Sequence, residues 1–121
     1  MTKNSIYIAG PMRGYPNFNF EAFHTAEEQF KQRGWDVFNP ARKDEEQYGK
    51  DFNDNNPDGD LDQAIAEGFS MRVALFQDTK FICNHATHIF MLRGWENSAG
   101  ARAEHSLAVA LGHEILYQGA L

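Results

Sequence analysis

Two short apolar runs in this chain are each followed by a glycine-bearing loop and then by a segment of helical periodicity. The first run, Ser5–Ala9, leads into the loop Gly10–Gly14, and the second, Ile89–Leu92, leads into the turn-rich passage Arg93–Ser98. Short, bounded apolar runs of this kind are typical of buried strands. Strand, loop and helix in this order favour a parallel sheet, because the chain must cross back over the sheet before the next strand begins.

The rest of the chain continues this alternation. An apolar face of helical spacing runs from Phe18 to Phe30 and predicts a helix of about 16 residues that ends at Gly34. The same rules predict strands at Trp35–Phe38, Thr87–Leu92 and Glu114–Tyr117, and helices at Leu61–Ala66, at Phe69–Asn84 and from Ser98 to Gly112.

These elements predict one α/β domain over residues 1–121, a Rossmann- or flavodoxin-like three-layer fold. We expect a small parallel sheet with strand order 2-1-3-4 and helices on both faces. With that order the winding reverses between strands 1 and 3, and ligands bind beyond the carboxyl ends of strands at such a switch point. The loops Gly10–Gly14 and Arg93–Gly100 leave these two strands, so both are expected to face one ligand crevice.

One segment, Ala41–Asp60, interrupts the alternation and is predicted to be a long loop, because its turn-forming residues show no periodicity. The overlapping stretch Asp44–Asp62 has eight acidic residues and one lysine, a net charge of −7, so the rest of the chain carries +1 of the total of −6. A loop of this length is typical of a lid or a mobile flap. The rest of the chain has no basic stripe that would bind a nucleic-acid polymer.

Several classes of protein are excluded by what the sequence lacks. No run approaches the roughly 18 apolar residues of a membrane span, and the first apolar run is too short for a signal peptide. Cys83 is the single cysteine, so no internal disulfide can form and a cytoplasmic location is expected. No P-loop or dinucleotide fingerprint is present, and His85 and His88 have no third ligand at metal spacing. We therefore expect no metal and no organic cofactor.

The passage that begins at Ser98 has the features of an anion site. Ser98 is a candidate N-cap, and Gly100 would allow a ligand to approach the first helical turn closely. The free N–H groups and the positive end of the helix dipole favour a phosphate there. Glu104 lies about one turn further along, on the side that could still face this ligand. The plainer interpretation is a glycine-containing turn followed by an acid that only interacts with the helix dipole.

Two motifs carry a family resemblance. Tyr7–Met12, with the sequence YIAGPM, and Gly94–Glu104, with the sequence GWENSAGARAE, together resemble phage and bacterial proteins of the nucleoside 2-deoxyribosyltransferase-like superfamily. The chain looks most like its uncharacterised DUF4406 group. More distant relatives are the nucleoside 2-deoxyribosyltransferases and the 2′-deoxynucleoside 5′-monophosphate N-glycosidases. The resemblance covers nearly the whole chain, is weakest across Ala41–Asp60, and implies a homodimer or a larger homo-oligomer.

The resemblance implies catalytic roles for three residues. Glu104 matches the glutamate that attacks the anomeric carbon of the nucleoside, and Tyr7 matches the tyrosine that positions it. Asp78 is similar to the helix aspartate that handles the proton on the leaving base. Without the resemblance, Tyr7 is equally a buried strand aromatic and Asp78 an exposed helix acid. Relatives often carry an acid where this chain has Thr87; that acid is either catalytic, which would weaken the assignment of Asp78, or structural.

The resemblance also implies which residues bind the substrate. Ser98 matches the serine that contacts the 5′-phosphate in the nucleotide hydrolases. Gly10, Pro11 and Arg13 fall in the loop that wraps the sugar or the phosphate, although Arg13 alone would read as a surface charge. Trp95 is a candidate to stack on the base or only to cover the crevice.

These residues suit cleavage of an N-glycosidic bond, in which one carboxylate captures the oxocarbenium-like carbon and a second group protonates the leaving base. Glu104 would be the nucleophile, ionised in part by the helix N-terminus, and Asp78 would need a raised pKa. The expected function is hydrolysis of the base–sugar bond of a (deoxy)nucleoside 5′-monophosphate. Base exchange by a deoxyribosyltransferase and a non-catalytic nucleotide-binding or sensing module remain alternatives. Neither the base nor the choice of ribose or deoxyribose is indicated.

Overall fold

The computed structural model describes residues 3–49, 56–66 and 68–119. The strands are β1 (Ser5–Ala9), β2 (Asp36–Phe38), β3 (His88–Met91) and β4 (Glu114–Tyr117). The helices are α1 (Phe20–Gln32), α2 (Pro40–Tyr48), α3 (Leu61–Ala66), α4 (Met71–Asn84) and α5 (Ala99–Leu111). Single tighter turns of helix lie at Pro16–Asn19 and Trp95–Asn97.

The four strands form one parallel sheet in the order β2-β1-β3-β4, which confirms the predicted α/β fold class and strand order. β1 is buried along its whole length and pairs with a strand on each side, so that Tyr7 lies opposite Phe38 in β2 and Ile89 in β3. The winding of the chain reverses at β1. The carboxyl ends of β1 and β3 therefore border a crevice, as the topology requires.

Two apolar clusters cover the two faces of the sheet. Because side chains alternate along a strand, Ile8 points into one cluster and its neighbour Tyr7 into the other. The first, here called the α1 cluster, contains Ile8, Phe18, Phe20, Phe23, Ala26, Ala41, Ala64 and Leu92. The second, the α5 cluster, contains Tyr7, Ala9, Ile82, Ile89, Met91, Ala101 and Ala108.

Helix α1 begins at Phe20, two residues later than the apolar pattern predicts. Asn17, Phe18 and Asn19 have φ angles of 51°, 56° and 62°, a left-handed turn that side-chain-bearing residues rarely adopt. The Asn19 side-chain amide donates to the Pro11 carbonyl oxygen at 3.0 Å, and the Asn17 N–H donates to the Pro57 carbonyl oxygen at 2.9 Å. These hydrogen bonds stabilise the left-handed turn. Phe18 therefore packs in the α1 cluster from a turn that precedes the helix.

The prediction of a continuous loop over Ala41–Asp60 is wrong at its start, where α2 forms. The Asn39 side chain accepts a hydrogen bond from the Ala41 N–H at 2.9 Å, and Pro40 occupies the first helical position, where its missing N–H costs nothing. Residues 50–55 of the predicted loop lie outside the described residues. The end of this segment is held against the loop after β1, because the Gly14 N–H donates to the Gly59 carbonyl oxygen at 2.8 Å.

The other elements agree closely with the prediction. Ser70 and Ser98 cap α4 and α5 by accepting a hydrogen bond from a first-turn N–H, and Gly112 ends α5 with a φ of +76°. Within the part of the chain that the structure describes, no helix is long and apolar enough to cross a membrane.

Candidate active site

A cavity of about 360 Å³ opens at the carboxyl ends of β1 and β3, within the range of small-molecule sites. The loop after β1, the first turns of α5, and parts of α2 and α4 line it. It brings together residues that are far apart in the sequence. Eight of the predicted site residues line it, namely Tyr7, Gly10, Pro11, Arg13, Asp78, Ser98, Gly100 and Glu104.

The Tyr7 hydroxyl donates a hydrogen bond to Glu104 Oε2 at 2.6 Å. Tyr7 is 1% exposed and Glu104 is 6% exposed, so the pair is almost fully removed from solvent except where it faces the cavity. The distance lies in the range of a hydroxyl bound to an ionised carboxylate. The pair therefore has the geometry that the resemblance implies, with the tyrosine fixing the orientation of the acid.

The pKa of Glu104 is raised from 4.5 to about 8, because burial and the nearby charge of Asp78 together outweigh the hydrogen bond from Tyr7, which lowers it. Ionisation of Glu104 was expected to come from the helix N-terminus. Glu104 is the sixth residue of α5, beyond the first turn in which the dipole acts strongly. The group that favours the carboxylate is therefore the Tyr7 hydroxyl.

Asp78 lies on α4 and faces the same cavity. Burial raises its pKa from 3.8 to about 7, while the Tyr7 hydroxyl and the charge of Lys43 lower it. Burial and the charges of both acids hold the pKa of Tyr7 well above its usual value, so the hydroxyl stays protonated and can donate. The Tyr7 hydroxyl has one proton and can donate it to one acceptor at a time. In this structure it donates to Glu104.

The start of α5 has the donors of an anion site. The Ser98 Oγ accepts from the Ala101 N–H at 3.2 Å, and the Ser98 carbonyl oxygen accepts from the Arg102 N–H at 2.9 Å. The N–H groups of Ala99 and Gly100 have no acceptor within the helix, because they belong to its first turn. A Cβ added at Gly100 would have Ser98 Oγ as its nearest neighbour, at 4.0 Å. Open space therefore lies directly beside these donors.

Two arginine side chains add positive charge to the lining of the cavity. Arg13, from the loop after β1, and Arg102, from α5, are both exposed and both line the cavity. Arg102 was not singled out from the sequence, although it lies within the GWENSAGARAE motif. Gly10 has a packing role as well, because a Cβ there would lie 2.7 Å from the Leu92 Cβ.

Trp95 does not line the cavity, so the structure gives no support for it as a substrate contact. Its ring stacks on His105, with 4.4 Å between ring centroids, and His105 is hydrogen-bonded to the Tyr117 hydroxyl at 2.8 Å. The tight turn Trp95–Asn97 packs the indole against α5 and β4 instead.

Asp44 is a cavity residue that the sequence analysis missed. It lies on α2, is 9% exposed, and makes no hydrogen bond or ion pair with another residue in the described part of the chain. Burial, together with the charges of Asp78 and Glu45, raises its pKa from 3.8 to about 8. The pair Asn39-Pro40 is the sequence feature that could have indicated this residue, because it is typical of a helix start. Such a helix would begin beside β1 and would contain Asp44 about one turn from its start.

Thr87 lies at the opposite end of the sheet from the cavity. Its Oγ1 accepts from the Ser5 N–H and donates to the Ser5 carbonyl oxygen, both at 3.0 Å, and so ties the start of β3 to the start of β1. An acid at this position would not reach the cavity. The structure therefore favours the structural alternative for the acid that relatives carry here, and the assignment of Asp78 is not weakened by its absence.

The described residues include no group of three or more His, Cys, Asp or Glu side chains that could hold a metal ion. His88 Nε2 instead lies 3.3 Å from the Glu114 carboxylate, and the ring of His85 packs on Phe81. The two histidines thus have separate surroundings.

The fold and the cavity define an α/β protein with a cavity at the switch point of a parallel sheet, lined by buried acids and by the start of α5. Residues 4–117 match the family model described as "Domain of unknown function (DUF4406)", and the chain belongs to that family. No curated protein and no solved structure matched the chain. The wider likeness to the nucleoside 2-deoxyribosyltransferase-like superfamily stays a prediction.

Proposed function

We propose that this protein is an N-glycosidase that hydrolyses the base–sugar bond of a (deoxy)nucleoside 5′-monophosphate, with Glu104 as nucleophile. The observation that carries the proposal is the buried Tyr7–Glu104 hydrogen bond, at 2.6 Å, in a cavity that also holds Asp78 and the start of α5. This reaction requires two carboxyl groups and a phosphate-binding site around one cavity.

In the first step the Glu104 carboxylate attacks the anomeric carbon, and the bond from that carbon to the base nitrogen breaks. The electron pair of this bond leaves with the base, and Asp78 donates the proton that neutralises it. The product is a glycosyl ester on Glu104 and a free base. Tyr7 acts as a positioning residue, because its hydroxyl keeps the attacking carboxylate in one orientation.

In the second step a water molecule attacks the anomeric carbon of the ester. Asp78, now a carboxylate, takes a proton from the water, and the bond from the sugar to Glu104 breaks. Sugar 5-phosphate is released and both acids return to their starting protonation states. A second base in place of the water would give the transferase reaction.

The two acids must share one proton for this chemistry, with Asp78 protonated and Glu104 ionised. Their pKa values are about 7 and about 8, and the charge of Asp78 raises the pKa of Glu104, so the two titrations are coupled. The chemistry therefore uses the less populated state of the pair, in which Glu104 is the carboxylate that accepts the hydrogen bond from Tyr7 and Asp78 holds the proton. Activity is therefore expected near neutral to mildly alkaline pH.

The test is release of free base from the nucleoside 5′-monophosphates, in ribo and deoxy forms, and from the matching nucleosides. Wild type is compared with Glu104→Gln, which keeps the size of the side chain and an acceptor for Tyr7. Loss of the nucleophile should lower kcat by at least about a thousandfold. The matched control is Glu96→Gln, the same exchange at an exposed glutamate in the turn before α5, which should retain full activity.

Mass spectrometry of acid-quenched wild-type protein adds a direct readout, since the ester adds the mass of a sugar phosphate to the peptide that contains Glu104. Base exchange that requires an added second base would change the assignment to a transferase. If no base is released, yet nucleotides raise the melting temperature of wild type and Glu104→Gln alike, the protein is a nucleotide-binding module.

The homo-oligomer implied by the resemblance also stays a prediction. Light scattering coupled to size-exclusion chromatography gives the mass in solution, to be compared with the 13.8 kDa of one chain.

A further inference from the structure

Among the residues that the structure describes, three acids line the cavity, and the mechanism uses two of them. Glu104 lies on α5, Asp78 on α4 and Asp44 on α2. Helix α4 packs against both α2 and α5 and so lies between them. The charge of Asp78 raises the pKa of both of the other acids, which agrees with a central position of Asp78. The order along the cavity is therefore Glu104, Asp78, Asp44.

The wall beside Asp44 is apolar and aromatic. Phe18 and Phe23 belong to the α1 cluster, and Phe69 packs against it; all three line the cavity. Ala41 belongs to the same cluster and lies three residues before Asp44, on the same side of α2. This end of the cavity therefore offers flat apolar surface with one buried carboxyl group, whereas the start of α5 offers N–H groups and Arg102.

We propose that Asp44 is a specificity-determining residue that contacts the hydrogen-bonding edge of the substrate's base. This inference rests on the proposed function, because that function determines the orientation of the substrate in the cavity. With the phosphate at Ser98 and the anomeric carbon at Glu104, the leaving nitrogen lies at Asp78. The far edge of the base then reaches Asp44 and its ring lies against the aromatic wall.

The burial of Asp44 supports this role. Asp44 is 9% exposed and lines the cavity, so a ligand there would meet a largely desolvated carboxyl group that can form a hydrogen bond. The raised pKa of Asp44 has the same origin. The neutral acid offers one donor and one acceptor, and the ionised form offers acceptors only. Either form can accept a hydrogen bond from the exocyclic amino group of a base.

The experiment separates recognition of the base from recognition of the sugar phosphate. Dissociation constants are measured by calorimetry for dCMP, dUMP, dAMP, dIMP and 2-deoxyribose 5-phosphate, all in the Glu104→Gln background so that no ligand is consumed. Asp44→Asn keeps the shape of the side chain, and Asp44→Ala removes the carboxyl group. Glu46→Gln, at an exposed acid on the same helix, is the matched control.

Asp44→Ala should weaken binding of the preferred nucleotide by about tenfold or more, while binding of 2-deoxyribose 5-phosphate changes by less than about twofold. Asp44→Asn should change the ratio between the amino base and its keto counterpart, dCMP against dUMP or dAMP against dIMP. Glu46→Gln should bind every ligand as the parent does. Equal losses for nucleotide and sugar phosphate, or no loss for either, would overturn the role of Asp44.

The outcomes distinguish this inference from the proposed function. If wild type releases base but the Asp44 variants bind all ligands equally well, the glycosidase stands and the base contact is overturned. If no base is released but nucleotide binding alone is weakened by Asp44→Ala, the catalytic proposal fails and recognition of the base by Asp44 is supported. If neither nucleotide nor sugar phosphate binds, the base contact is overturned.

Discussion

The hydroxyl of Tyr7 and the carboxylate of Glu104 are hydrogen-bonded at 2.6 Å although 97 positions separate them in the chain. Tyr7 belongs to the central strand β1 and Glu104 to the second turn of α5, and both lie in a part of the fold that excludes water. In such surroundings a hydrogen bond to a charged group is strong, and leaving that group without a partner is costly. The protonation state of Glu104 therefore depends on Tyr7.

Replacing Tyr7 by phenylalanine should move the acid limb of the pH–activity profile to higher pH. The hydrogen bond lowers the pKa of Glu104, so its loss raises that pKa above about 8 and leaves less carboxylate near neutral pH. The rate of base release at pH 7 should fall by about ten- to a hundredfold. The difference between the two proteins should shrink as the pH rises through the pKa of Glu104, because a growing share of Glu104 is then ionised in both. A loss of the same size at every pH would show that the hydroxyl does not govern the ionisation of Glu104.

Replacing Asp78 by asparagine should remove the group that protonates the leaving base. Asp78 has a raised pKa of about 7, so its proton is lost as the pH rises and wild-type activity should decline at alkaline pH. In the variant this decline disappears, and kcat falls by about a hundred- to ten-thousandfold for ordinary bases.

A substrate whose base already carries a positive charge, such as 7-methyl-2′-deoxyguanosine 5′-monophosphate, is the internal control for this variant. Its base leaves without a proton, so Asp78→Asn should slow it far less than it slows dGMP. Equal losses for the two substrates would assign Asp78 a role other than proton donor.

The sheet and the main site residues were predictable because local patterns and topology agreed. Each strand is a short apolar run, and the positions of the two glycine-bearing loops follow from the strand order. That Ser98, Gly100 and Glu104 lie beside the loop after β1 required only that β1 and β3 be neighbours, whereas Tyr7 and Asp78 were indicated only by the family resemblance. The polar partners of a site at a switch point are thus fixed largely by the topology of the sheet.

The features that were missed depend on single side-chain contacts. The pair Asn39-Pro40 fits the end of a strand as well as the start of a helix. The sequence therefore does not indicate that Asp44, in an acidic stretch without periodicity, belongs to a helix. The left-handed turn that ends at Asn19 follows from hydrogen bonds to distant residues rather than from local preference. Trp95 packs on His105 for a similar reason. Contacts of this kind leave no periodic signal in a sequence.

Replacing Gly100 by alanine should stabilise the fold and weaken nucleotide binding at the same time. Gly100 has no positive φ and lies in the first turn of α5, so alanine fits the helix and should raise the melting temperature slightly. The added methyl group would lie in the open space 4.0 Å from Ser98 Oγ, where the phosphate is proposed to bind. Calorimetry with a nucleoside monophosphate and the matching nucleoside should show a loss confined to the phosphorylated ligand.

Replacing Asp44 by asparagine should stabilise the protein at alkaline pH. Folding raises the pKa of Asp44 from 3.8 to about 8, so the folded state holds its proton more tightly than the unfolded state. The resulting stability is complete below about pH 4, falls as the pH rises towards 8, and changes no further above that. Asparagine carries no charge at any pH, so the variant should exceed wild type by about 4 °C or more in melting temperature at pH 8.5.

At pH 5 the same comparison should show a smaller difference, because Asp44 is then neutral in the folded protein. Asp78 and Glu104 also have raised pKa values, so the melting temperature of Asp44→Asn should still fall between pH 5 and 8, but with a shallower slope than that of wild type. Glu46→Gln changes an exposed acid on the same helix and should follow the wild-type curve. Parallel curves for wild type and Asp44→Asn would show that the Asp44 carboxyl is solvated in the folded protein.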